Sequence, residues 1–98
     1  MTGKERSYLK SLANGIDPVV SIGKSGLTDS VLQAIHTALT ARELVKVSIQ
    51  EGVDLDPKET CHDVANELHA EFVQAIGRRF VLYRPAPDKS KRKIVLPK

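Results

Sequence analysis

Pro18-Val19-Val20-Ser21-Ile22-Gly23-Lys24-Ser25-Gly26-Leu27-Thr28-Asp29 is the stretch that decides the fold. Pro18 to Ile22 is a β-branched run bounded by Asp17 and Gly23, and it reads as a strand with proline tolerated at its start. Thr28 reads as the N-cap of a helix, with Asp29 favourable in its first turn. Strand, glycine-bracketed loop and capped helix follow one another without a break, which is how a β-α-β unit begins.

Moving towards the C-terminus, Val31, Leu32, Ile35, Ala38 and Leu39 form the buried stripe of that helix. Leu44 to Ile49 alternates and predicts a second strand, with Val45, Val47 and Ile49 on one face. Asp56 and Pro57 open a third helix as N-cap and first helical residue. Its apolar face is Cys61, Val64, Ala65, Leu68 and Phe72, and its end is expected near Ala70. Phe72–Ile76 and Arg79–Tyr83 are two further strands, and Gly77-Arg78 fits a type II′ hairpin loop. Ile94-Val95-Leu96 could add a short edge strand or stay loose.

Moving towards the N-terminus, Thr2 and Glu5 form a capping-box pair. Tyr8, Leu9, Leu12 and Ala13 recur at helical spacing, Gly15 supplies a left-handed stop, and Lys4, Arg6 and Lys10 face outward. The order is α-β-α-β-α-β-β. The β-α-β steps demand parallel neighbours or near neighbours and the final hairpin is antiparallel, so the fold class is α/β, a single compact domain with a mixed sheet packed by helices. Residues 1–84 form that domain and residues 85–98 a basic tail.

The chain has 98 residues, 41% of them hydrophobic, which suits one domain with a modest core. One cysteine, Cys61, leaves no internal disulfide and no zinc site built on paired thiolates. No apolar run approaches the roughly 20 residues of a membrane span. The N-terminus shows no apolar signal core, so the expected location is cytoplasmic.

The net charge of +3 hides an asymmetry: residues 1–50 carry +2, residues 51–77 carry −6 and residues 78–98 carry +7. A basic end on a small domain suits a polyanionic partner, although a solvated tail would look the same. With 4% aromatics and no tryptophan, a base-stacking platform is poorly supplied.

Gly23-Lys24-Ser25-Gly26 is the sharpest local feature. The glycines let the backbone turn tightly and approach a ligand closely. The loop leads into a helix N-terminus, whose free N–H groups and dipole favour an anion. Lys24 adds a mobile charge and Ser25 a hydroxyl donor, a set that suits a phosphate and reads no base. The competing reading is a structural β-to-α turn. A nucleotide-binding P-loop is excluded, because the motif wants glycine five positions before Gly23 and Pro18 stands there.

Metal binding is not expected: His62 and His69 are separated by two helical turns, about 10 Å. Cys61 falls on an apolar stripe and reads as core, and His36 as a surface or boundary residue. The acids of the third helix read as a solvated face. Arg78 and Arg79 at the hairpin tip form a second basic candidate patch, and Arg84 begins the tail.

Three motifs then carry a resemblance. Val20 to Thr28, Glu43-Leu44-Val45-Lys46-Val47 after Ala38-Leu39, and Gln74-Ala75-Ile76-Gly77-Arg78-Arg79-Phe80-Val81-Leu82-Tyr83-Arg84 resemble the CRM domain, in order, over roughly residues 3–84. The stand-alone bacterial form of that family is the YhbY-type RNA-binding protein. The resemblance implies a mixed four-stranded sheet similar to the C-terminal domain of translation initiation factor 3. It implies RNA binding without catalysis, and bacterial members are linked to precursors of the large ribosomal subunit. The GxxG loop is also similar to that of KH domains, which clamp a nucleic-acid backbone.

The sequence therefore leads to a monomeric, cytoplasmic RNA-binding protein of large-subunit assembly. Its expected RNA-binding residues are Gly23, Lys24, Ser25, Gly26, Arg78, Arg79, Lys4, Lys10 and Arg84, with no cofactor, metal, membrane or small-molecule substrate. The alternative is a protein-interaction adaptor whose basic tail docks on an acidic partner.

Overall fold

The computed structural model describes residues 1–97. Its helices are α1 (Gly3–Ala13), α2 (Asp29–Arg42) and α3 (Pro57–Leu68); its strands are β1 (Val20–Ile22), β2 (Leu44–Ile49), β3 (Glu71–Ile76) and β4 (Arg79–Tyr83). The four strands form one sheet in the order β1-β2-β4-β3. β1 runs parallel to β2, and β4 is antiparallel to both its neighbours. The single α/β domain with a mixed four-stranded sheet is therefore as the sequence predicts.

β4 is an interior strand buried on both faces. Phe80 and Leu82 join the cluster beneath α2 and α3, with Ile22, Ile35, Leu39, Val45, Val47, Ile49 and Val64. Val81 and Tyr83 point the other way, to Leu9 and Ala13 of α1, Leu44 and Val73. Residues 80 to 83 are each no more than 3% exposed. Burying such side chains contributes about 1.5–3 kcal/mol apiece, which makes this strand the centre of the core. Cys61 lies in the first cluster, as expected, and burial pushes its thiol pKa up to about 12.

The caps on α1 and α2 form as the sequence indicates: Thr2 and Glu5 make the capping box, and Thr28 accepts from the Val31 N–H. Several boundaries differ. α1 stops at Asn14 in ordinary helical geometry, so Gly15 is not a left-handed stop. Pro18 and Val19 precede β1, although the Val19 N–H still donates to the Lys46 carbonyl. α3 ends at Leu68 because His69 itself turns left-handed, at φ 54°. Arg6 does not face outward freely; its Nε donates to the Phe72 carbonyl at 3.3 Å. A register shift between Phe72 and Gln74 puts a bulge in β3 at Val73.

The largest departure concerns residues 85–97. No strand forms at 94–96. Instead Ile94 and Leu96 pack onto the α1-side cluster, and Lys89–Lys91 makes a short 3-10 turn. The organising residue is Glu43, whose side chain is 2% exposed. One carboxylate oxygen accepts from the Ala86 N–H at 2.8 Å. The other accepts from the Lys93 and Ile94 N–H groups at 2.7 and 2.9 Å. The Ile94 N–H is thus committed to a carboxylate and cannot enter a strand ladder. Glu43 also holds φ 67° and ψ −46°, a strained geometry for a non-glycine that costs on the order of 1–3 kcal/mol. Its three charge-assisted bonds offset that strain.

Burial pushes the Glu43 carboxyl pKa up, but the N–H groups of Ala86, Lys93 and Ile94 and the charge of Arg92 outweigh it, and the net shift is downward. The latch is therefore complete above the ordinary value of 4.5 and is lost as pH falls through the lower folded value. Hydrogen exchange tests it. At neutral pH the Lys93 and Ile94 amides are expected to be protected, and Glu43→Gln to speed their exchange by about tenfold, or ~1.4 kcal/mol. Acidification should reproduce the loss with β4 still protected; exchange unchanged by the substitution would refute the latch.

Candidate functional site

The Gly23–Gly26 loop is a tight turn anchored at both ends. Ile22 is fully buried before it, and Leu27 packs against the core after it. The Gly26 N–H donates to the Gly23 carbonyl at 3.0 Å, and the Thr28 N–H to the Gly26 carbonyl at 3.0 Å. Gly26 has φ 73°, where a β-carbon is strained, so glycine is favoured there. Between the anchors Lys24 and Ser25 are exposed. Neither donates its N–H to a backbone carbonyl among the described residues. Thr28 satisfies the Val31 N–H, which leaves the Asp29 and Ser30 N–H groups open at the start of α2. Asp29 stands in the groove between α2 and α3 with Gln33, His36 and Glu67.

The structure brings this loop and the hairpin tip to the same end of the sheet. Gly77 takes φ 59°, as a type II′ turn needs. The Ile49 N–H donates to the Arg78 carbonyl at 2.8 Å. The Arg78 side chain then reaches inward: Nε donates to the Ile49 carbonyl at 3.2 Å, and Nη2 to the carbonyls of Gln50 at 2.8 Å and Val53 at 2.6 Å. Gln50 in turn donates its N–H to the Ile22 carbonyl at 2.9 Å. The Gln50 side chain lies against Gly23, where an added β-carbon would meet Oε1 at 3.2 Å. Loop, β2–α3 connection and hairpin are thus one continuous construction.

Arg78 and Arg79 play different parts in it. Arg78 is half-buried and fixed by three carbonyls, so its main work is to hold the hairpin tip in place, with its charge retained at the site. Arg79 is exposed. It pairs with Ser48, which pairs with Ser21, so its backbone lies two strand spacings, about 10 Å, from the strand that feeds the loop.

The remaining sequence candidates lie elsewhere. Arg84 follows the other end of β4, about 17 Å from Arg79 along the strand. Its guanidinium donates to the Leu68 and His36 carbonyls and to Thr40 Oγ1, and it meets His36 Nδ1 at 3.1 Å. It ties β4 to α2 and α3. Lys4 and Lys10 are exposed on α1, on the opposite face of the sheet from α2 and α3. In the tail, Arg92 and Lys93 donate to the carbonyls of Ala86 and Ala41.

Sequence reasoning missed Lys46 and Gln74, which stand on the α1 side of the sheet beside Arg79. Alternation between the buried Val45 and Val47 was the available signal for Lys46; the β3 bulge hid Gln74. On the far side, α3 exposes Glu59, Asp63 and Glu67. The fold therefore separates an acidic helix from a face carrying Lys10, Lys46 and Arg79. Such a division makes the potential on the α1 side of the sheet more positive than that on the α3 side.

The CRS1 / YhbY (CRM) domain matches residues 1–84 of the chain. A relative from Bacillus subtilis (strain 168), "Probable RNA-binding protein YqeI", is 34% identical over 97 residues, covering 99% of both chains. An "RNA-binding protein" of Haemophilus influenzae is 39% identical over 99 residues, covering 100% of this chain and 96% of the relative. The solution structure of Staphylococcus aureus SAV1595 superposes with a TM-score of 0.82 at 37% identity, covering 99% of each chain.

The two arginines separate in a stability measurement. Arg78→Ala leaves three carbonyls without their donor and is expected to cost about 2 kcal/mol in denaturant unfolding, whereas Arg79→Ala stays within about 0.5 kcal/mol. Equal losses would contradict the division of roles.

Proposed function

The chain belongs to the CRS1 / YhbY (CRM) domain family, and on that footing we propose that it is an RNA-binding protein that grips the RNA backbone at the Gly23–Gly26 end of the sheet. The observation that carries this reading is the exposed Lys24-Ser25 turn at the open N-terminus of α2, at the end of the sheet where the hairpin carries Arg79 two strand spacings from β1. Two relatives covering nearly the whole chain bear RNA-binding names, which supports the same reading. Backbone amides and the helix dipole meet a phosphate, Lys24 neutralises it, and Arg79 takes a second one further along the strand. Arg78 keeps the two halves of the site in register. Lys4 and Lys10 extend the positive surface along α1, and Arg84 contributes by tying β4 to the helices.

The RNA we infer is ribosomal, in precursors of the large subunit, met by a monomer in the cytoplasm. The resemblance of the loop and hairpin motifs to that family supports this assignment. The chemistry is binding and needs no catalytic step.

Salt dependence gives the test. With backbone phosphates as the main contacts, affinity for a ribosomal RNA fragment falls steeply with ionic strength. Lys24→Glu is expected to weaken binding at least tenfold and to flatten the log–log salt slope by about 0.7–0.9. The melting temperature should not change, because Lys24 is exposed. Unaltered affinity in the variant would remove the loop from the interface.

A further inference from the structure

Beside the hairpin, on the α1 side of the sheet, lies a cleft of about 170 Å³ lined by Asn14, Lys46, Gln74, Ile76, Arg79 and Val81. Its floor is Val81, 1% exposed. Register sets the walls: Lys46 of β2 and Gln74 of β3 are the cross-strand partners of Val81 on either side. The next row holds Arg79 and its partner Ile76, which is 67% exposed. Asn14, the residue that ends α1, closes the cleft from above.

Three features set this cleft apart from ordinary surface. First, Gln74 reaches it only through the bulge at Val73. Phe72 packs on the α2–α3 side and Val73 on the α1 side, so strict alternation would turn Gln74 back towards α2 and α3. The bulge re-aims it, a role bulges often have beside functional sites. Second, α1 stops at Asn14 and leaves the Lys46–Arg79 part of the sheet uncovered. Third, the lining joins two side-chain amides, two cations and one exposed aliphatic side chain, with no carboxylate among them.

Each component matches a part of a nucleotide. Amide side chains offer a donor and an acceptor side by side, the pattern that pairs with a base edge. Lysine and arginine meet phosphate. Ile76 offers an apolar surface to the flat face of a base, in a protein with few aromatic side chains to do so. We infer that this cleft takes one unpaired base of the bound RNA, read by Gln74 and Asn14, with its flanking phosphates on Lys46 and Arg79. The inference rests on the RNA-binding reading and deepens it: the loop holds backbone without regard to sequence, and the cleft supplies a base preference.

The test compares short homopolymeric RNAs of adenosine, uridine and cytidine by fluorescence anisotropy. The wild-type protein is expected to prefer one base over the poorest by at least about fivefold. The double substitution Asn14→Ala, Gln74→Ala is expected to bring the three affinities within about twofold of each other while the weakest-bound RNA keeps its affinity. Since Asn14 caps a helix, the isosteric Gln74→Glu provides a second variant and is expected to erase the same preference with α1 intact. A preference retained by both variants, or wild-type binding with no preference, overturns the cleft while leaving the loop proposal standing. No RNA binding by the wild-type protein overturns both.

Discussion

The grip of Arg78 on the carbonyls of Ile49, Gln50 and Val53 is the interaction on which the site depends. A hairpin tip is ordinarily free to sway. Here a planar guanidinium closes it onto the connection after β2, and the same connection carries Gln50 against Gly23. Lysine could not replace it, because an ammonium lacks the fixed fork that reaches several acceptors at once. The consequence is positional: a loop from β1–α2 and a hairpin from β3–β4, far apart in the chain, present their charges on one rigid edge. Rigidity matters because a phosphate contact gains most when its donors are already in place.

The sheet imposes a second constraint. With β4 buried on both faces, the chain must cover the sheet twice, by α2 and α3 on one side and by α1 and the tail on the other. Covering is complete on the first side and partial on the second. The complete side exposes the acidic face of α3, and the partial side leaves Lys46, Gln74 and Arg79 accessible. In the proposed complex a polyanion would be repelled from one surface and admitted to the other by the same packing arrangement.

Much of this was legible in the residues. Alternation in 44–49, the Thr28 cap and the Gly77 turn each have a local physical cause, and each formed. The Gly23–Gly26 loop was legible for the same reason, since glycine at a turn before a capped helix is a local statement. What could not be read was direction. Arg78, Arg79 and Arg84 look alike in a sequence, yet one is fixed by carbonyls, one is exposed and one ties three elements together. Glu43 stands out in the sequence only as the first residue of one family-like motif. Its buried carboxylate and positive φ arise from a tail some 50 residues later, a long-range demand with no local mark. The β3 bulge is similar: consecutive Val73 and Gln74 both face the α1 side while Phe72 and Ala75 pack on the other, which only the assembled sheet reveals.

The most direct measurement of the central claim is amide chemical-shift mapping of the labelled protein titrated with a ribosomal RNA fragment. The shifting resonances are expected on Gly23 to Gly26, the first turn of α2 and the hairpin about Arg79, with α3 silent. Shifts concentrated on the outer face of α3 or in residues 85–97, with the glycine loop unmoved, would contradict it.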